Sequence, residues 1–238
     1  MYEYRLALVD VDAKRLKSFD ERDPSVVSVL PGKPGKILIS FSEGGNDGIG
    51  AKVQAAFRPR AYWEFDLERG TKKLLVRGKI SLGNIDFDED GNAILARGFD
   101  IDTGDFIWFW RKPGETDWTE FYRLNEDSFD TFRVFGPDPD LPGHFLVEAN
   151  RGADTTGLWS FNAATKEFAE AIYQRTDVDI CGVRYHSNAW THADTIVGVT
   201  HCKDKPIVEF FDDEEAALQR QLESLLPNAY SARITSRS

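Results

Sequence analysis

Sulfur, positive charge and long apolar runs are all scarce in this 238-residue sequence. There are two cysteines, Cys181 and Cys202, and one methionine, Met1. Two thiols without a Cys-x-x-Cys spacing build neither a disulfide scaffold nor a zinc knuckle, so the expectation is a reduced, cytoplasmic setting. No stretch approaches the roughly 18 consecutive apolar residues of a membrane-crossing helix. The opening "MYEYRLALVD" also lacks the basic start and apolar centre of a secretory leader. Acids outnumber bases, 40 Asp and Glu against 29 Lys and Arg, for a net charge of −11. Such a surface repels phosphate backbones, which argues against nucleic acid as a partner. Hydrophobic residues nevertheless make up 41% of the chain and aromatics 13%, enough to furnish a folded core.

What is present in quantity is repetition. "GLWSFNAATKEF" (157–168) echoes "AYWEFDLERGTKKL" (61–74), and the phrase recurs. Phe65-Asp66, Trp110-Arg111, Phe161-Asn162 and Phe211-Asp212 follow one another at steps of 45, 51 and 50 residues, and Val9-Asp10 precedes them by 56. Upstream of each full copy lie two apolar runs around a Gly/Pro/Asp/Asn-rich turn, at 25–42, 82–99, 131–150 and 180–201. Each unit therefore reads as four strands, with the Asp-Gly of "DEDGN" supplying the positive φ of a tight hairpin. Four strands every 45–50 residues is the pattern of a β-propeller blade. The expected fold is all-β: about four blades plus partial ones in a single domain spanning 1–238, with units at roughly 20–78, 79–128, 129–177 and 178–238. One segment departs from the pattern. In "DDEEAALQRQLESLLPNA" (212–229), Ala217, Leu218, Leu222, Leu225 and Leu226 fall at helical spacing, with Asp212 or Asp213 as cap and Pro227 as stop. An extended "YSARITSRS" follows.

With these features in place, the chain resembles the propeller portion of the prolyl oligopeptidase family, nearest its bacterial acylaminoacyl-peptidase and dipeptidyl-aminopeptidase-like branch. The resemblance is carried by "GLWSFNAATKEFAEAI", "DEDGNAILARG" and "KPIVEFFDDEEAALQRQLESLLPNAYSARITSRS". It implies a serine peptidase whose catalytic residues lie in an α/β-hydrolase domain, with the propeller limiting access to short peptides. The Gly-x-Ser-x-Gly elbow of such a domain occurs nowhere in this sequence. The expectation is thus a non-catalytic part of a larger peptidase, partnered by that hydrolase domain and by short peptides. Association of copies through blade edges is a further expectation. The alternatives are a stand-alone propeller-like protein-binding module and a propeller hydrolase or lactonase with metal ligands at its axis.

Candidate sites resolve mostly into structural roles. Asp86, Asp88, Asp90 and Gly91 match the start of a calcium loop, but its twelfth position is Arg97, a cation where a bidentate Glu belongs. The stretch reads as an acidic hairpin tip. His186, His192, His201 and Cys202 lie close in sequence without the spacing of a zinc site, and Cys181 reads as a small strand-packing thiol. Trp108, Trp110 and Trp118 read as packing between blades rather than as a ligand platform. No catalytic, cofactor-binding or metal-ligating residue is nominated, and no cofactor.

Overall fold

Four strands per unit is what the chain forms through most of its length. A computed structural model describes residues 4–42, 59–188, 192 and 195–226. It holds a two-stranded hairpin, β1 (Arg5–Asp10) and β2 (Arg15–Arg22), and then four successive sheets. The first comprises β3 (Ser25–Ser28), β4 (Lys36–Ser42), β5 (Arg60–Asp66) and β6 (Thr71–Arg77). The second comprises β7 (Asn84–Phe87), β8 (Ala93–Asp100), β9 (Asp105–Trp110) and β10 (Thr119–Asn125). The third comprises β11 (Phe132–Pro137), β12 (His144–Ala149), β13 (Gly157–Asn162) and β14 (Glu167–Tyr173). The fourth comprises β15 (Ile180–Tyr185), β16 (Ile196–Cys202) and β17 (Pro206–Phe210). Within every sheet each strand pairs antiparallel with its sequence neighbour. These are propeller-type blades. Among the described residues no helix is long and apolar enough to cross a membrane.

The strands alternate as their sequences require, and both faces of an inner strand find cover. The chain forms two compact units, 1–126 and 127–238. In the first, Ile37 and Ile39 of β4 join Phe65, Leu6 and Phe19 in a cluster between the first sheet and the β1–β2 hairpin. Leu38, between them in sequence, faces the opposite way and packs with Leu30, Tyr62, Ile85, Ala93 and Ala96 against the second sheet. Tyr62 ties the same two sheets by a polar contact, its hydroxyl accepting from the Ile85 amide at 3.2 Å. In the second unit, Leu146 and Leu158 pack on Ile180 and Val199, face to face between the third and fourth sheets. Each such side chain contributes about 1.5–3 kcal/mol when taken out of water.

The repeated phrase is a turn. Asp66, Asp100 and Asn162 each accept, through the backbone carbonyl, the amide four residues on, from Gly70, Gly104 and Lys166. Their side-chain oxygens also bond amides inside the turn: Asp66 Oδ1 those of Glu68 and Arg69, Asn162 Oδ1 those of Ala164 and Thr165. The residue closing each turn has positive φ: +67° at Gly70, +75° at Gly104, +61° at Lys166 and +51° at Lys14 of the first hairpin. A short acceptor side chain at one end and a left-handed residue at the other are what this geometry demands. Blade position varies, however. Asp66 and Asn162 end third strands, whereas Asp100 ends a second strand, and the third strand of that sheet runs through Trp110 into a longer loop.

Two expectations need correction. The fourth sheet has three strands among the described residues, and α1 (Asp213–Leu225) follows its third strand where the other sheets have a fourth. Asp212 is the cap, its carboxylate accepting the Glu215 amide at 2.8 Å. The apolar stripe of this helix is half-buried at Ala217, Leu218 and Leu222 and exposed at Leu225 and Leu226, and the fully buried side chain is Glu215. That carboxylate accepts the buried Ser187 hydroxyl at 2.7 Å and lies 3.6 Å from His186 Nε2, so the helix is held by a polar clamp. Pro227 and the extended stretch 230–238 lie outside the described residues.

A left-handed residue with a Cβ is strained by roughly 1–2 kcal/mol, which fixes opposite signs for two substitutions in equivalent turns. Gly70→Ala is expected to destabilise the chain by about 1 kcal/mol. Lys166→Gly is expected to be stabilising by up to about 1 kcal/mol. Urea denaturation midpoints at neutral pH measure both.

Candidate functional site

The acidic tip at 86–91 is built for packing. Asp88 Oδ1 accepts the amides of Asp90 and Asn92, and Asp88 Oδ2 accepts Asn92 Nδ2 at 2.9 Å. Gly91, at φ +74°, lies beneath the fully buried Leu30. The carboxylate that would face a cation is spent on its own loop. The histidines do not converge. His186 and His192 stack with ring centroids 4.0 Å apart, while His201 belongs to a separate network. Among the described residues no three His, Cys, Asp or Glu side chains are grouped to hold a metal ion. Trp108 and Trp110 are buried and Trp118 is half-buried against the core between the first two sheets, which is the packing role expected of them. Cys181 is different from expectation. It is exposed on β15 and disulfide-bonded, at a register shift where the strand departs from regular pairing with β16. A bulge turns a side chain out of the regular alternation, which a strand-packing reading does not anticipate.

Two charged networks organise the sheets. Arg123 of β10 reaches three carboxylates: Glu120 at 2.9 Å, Asp100 at 3.0 Å and Asp105 at 3.1 Å. Asp105 also accepts from Thr103 Oγ1 and Asn125 Nδ2, both at 2.8 Å. The Thr103 and Asn125 bonds, then the guanidinium, hold the Asp105 carboxyl below the usual range, while Arg123 itself is pushed up. In the second unit the Tyr173 hydroxyl donates to Glu209 Oε2 at 2.6 Å and meets His201 Nε2 at 2.8 Å. Burial, with the neighbouring Glu209 carboxylate, pushes the phenol up to about 12. His201 is buried, and its Nδ1 has no hydrogen-bond partner among the described residues. The trio joins the third sheet to the fourth, Tyr173 of β14 reaching His201 of β16 and Glu209 of β17.

One concave feature is lined by side chains left over from these networks. A cavity of about 200 Å³ opens beside the loop that precedes β7. Its walls are Ile80, Phe99 and Phe106, with bare backbone at Gly83 and Gly98 and polar groups from Asn84 and Arg97. The loop is pinned: Gly83 N donates to Arg97 O at 2.9 Å, Phe99 N to Ile80 O at 3.1 Å. A Cβ on Gly98 would lie 2.1 Å from Ser81 O, so only glycine permits this approach. The Arg97 guanidinium lies 4.7 Å from the Phe106 ring centre and 5.5 Å from that of Trp108. Burial lowers its pKa. Sequence reasoning noticed Arg97 only as the residue that spoils a calcium loop. The available signal was a glycine inside a strand directly after an arginine in an apolar run.

A scan of protein-family models finds no match, and no curated protein matches either. Among solved structures, the chain is similar to the β-propeller domain of the Trilobed protease from Pyrococcus furiosus, described as having an open velcro topology. The TM-score is 0.40 at 11% identity, over 89% of this chain and 73% of that one.

The Arg123 network predicts a pH dependence. Asp100 and Asp105 have folded pKa values below their ordinary ones. Their contribution is present above the ordinary carboxylate range and is lost as pH falls through the depressed values. Arg123→Ala should therefore lower the urea midpoint at pH 7. The gap from the parent chain should narrow as the pH is taken below about 4. An equal gap at both pH values counts against the linkage.

Proposed function

We propose that this chain is a non-catalytic propeller-type domain of a prolyl-oligopeptidase-like serine peptidase, gating the access of short peptides to an α/β-hydrolase domain. The reading is carried by the end of the fold. After the third strand of the last sheet, an Asp-capped helix stands in place of a fourth strand and leads into "LLP". The peptidases this sequence resembles have a similar helix and turn late in the propeller region, before the hydrolase domain. The 238 residues contain no Gly-x-Ser-x-Gly elbow.

The physical logic of such a domain is a sieve. A flexible peptide passes an opening that a folded protein cannot enter, so selection is by size and flexibility rather than by sequence. The domain need supply no reacting group, only a scaffold of stacked sheets that holds the opening in shape.

The experiment is made on the parent protein encoded through and beyond Ser238. The 238-residue chain alone should not cleave chromogenic aminoacyl or acyl-aminoacyl substrates. The full protein should cleave short peptides and spare a folded substrate, and removing residues 1–238 should abolish that discrimination if the hydrolase part remains folded. A reading frame that stops after Ser238 overturns the proposal and leaves a stand-alone binding module.

A further inference from the structure

We infer that the cavity beside Arg97 is a binding site for an organic carboxylate carrying a small apolar group. Three independent features support it. The first is charge. Arg123, Arg133 and Arg175 each hold carboxylates, at Asp100, Asp105 and Glu120, at Glu148 and at Asp177. Arg97 has ring contacts and no carboxylate among the described residues, in a chain where acids outnumber bases. An arginine kept from acids in acidic surroundings has its donor fork available for another anion.

The second feature is orientation. The Arg97 guanidinium lies over the Phe106 and Trp108 rings, contacts that position the cation without using its N–H donors. Asn84 stands opposite Arg97 in the β7–β8 register and lines the same cavity, and its side chain has no hydrogen-bond partner among the described residues. An Asn amide and an Arg fork side by side suit the two oxygens of a carboxylate.

The third is a preformed apolar chamber. Ile80, Phe99 and Phe106 give it walls, and the backbone bonds that pin the loop to β8 mean that little ordering is left to do on binding. A volume of about 200 Å³ admits a body the size of a phenyl or branched alkyl group. One cation with apolar walls favours a monoanion over a phosphate dianion, which the net charge of −11 also repels. The carboxylate can belong to a free acid or to the C-terminus of a peptide. The inference does not rest on the peptidase reading and survives its failure.

The test is calorimetric titration of the chain with 3-phenylpropionate, its neutral amide, a dipeptide ending in a free C-terminal phenylalanine, and inorganic phosphate. The acid or the dipeptide should bind saturably, at least about tenfold more tightly than the amide, which is the scale of one charge-assisted contact. Tighter binding of the free acid assigns the site to small acids, and tighter binding of the dipeptide assigns it to peptide ends. Arg97→Gln should weaken binding tenfold or more, and Asn84→Ala by less, both with unchanged thermal midpoints. If Arg97→Gln alters the midpoint, Arg97→Lys serves instead: it keeps the charge, loses the fork and should still weaken binding. Equal binding of acid and amide, tighter binding of phosphate, unaltered binding by the Arg97 variants, or no saturable heat with any carboxylate overturns the inference.

Discussion

The inner strand β4 has two apolar faces, and neither can be left to water. That constraint explains more of the structure than any single contact. On β4, Ile37 and Ile39 look one way and Leu38 the other, so the sheet that carries them is stable only with a sheet or hairpin on each side. The hairpin β1–β2 covers one face of the first sheet and the second sheet covers the other. Within each unit, short meanders joined in series satisfy the requirement, because the second sheet arrives next to the first and the fourth next to the third. It also explains why polar residues at the seams are hydrogen-bonded: Tyr62 spends its hydroxyl on the Ile85 amide, and Tyr173 spends its hydroxyl on Glu209 and His201.

Much of this was legible in the sequence because strand signals are local. Alternation places Ile37, Leu38 and Ile39 on their faces, and the recurring Asp or Asn followed four residues later by Gly or Lys marks the turns. The features that were not legible depend on contacts between segments far apart in the chain. Helical spacing in 212–229 implies a buried apolar stripe, yet Glu215 is the fully buried residue, since its partners Ser187 and His186 lie 28 and 29 positions earlier. Strand periodicity places Cys181 in a ladder but is blind to the bulge on which it sits. The cavity beside Arg97 exists because residues 78–83 fold back onto Gly98, and no periodicity within β7 or β8 encodes that return.

The stretch "DFDEDGNAILARG" shows how one segment serves two purposes at once. Its acidic end looks like a cation loop, but Asp88 turns inward to its own backbone and Gly91 makes room for Leu30. The requirement being met is the join between two hairpin tips, where Gly32 N also donates to Glu89 O at 3.3 Å. A calcium ion would compete with that join for Asp88.

At its other end the same segment places Arg97, and the energetics there run opposite to those at Arg123. Arg123 is shared among three carboxylates and is stabilised in its charged form; it is committed to holding β8, β9 and β10 together. Arg97 is exposed on β8, its pKa is lowered by partial burial, and its side-chain contacts among the described residues are with aromatic faces. Cation–π contacts of this kind are worth about 0.5–2 kcal/mol and use none of the five N–H donors, which have no acceptor among the described residues. The neighbours of Arg97, a glycine that admits no side chain and a loop fixed by backbone bonds, hold open space in front of that cation where collapse would otherwise bury it. An arginine with donors to spare beside an open volume is an arrangement that a ligand of opposite charge can use.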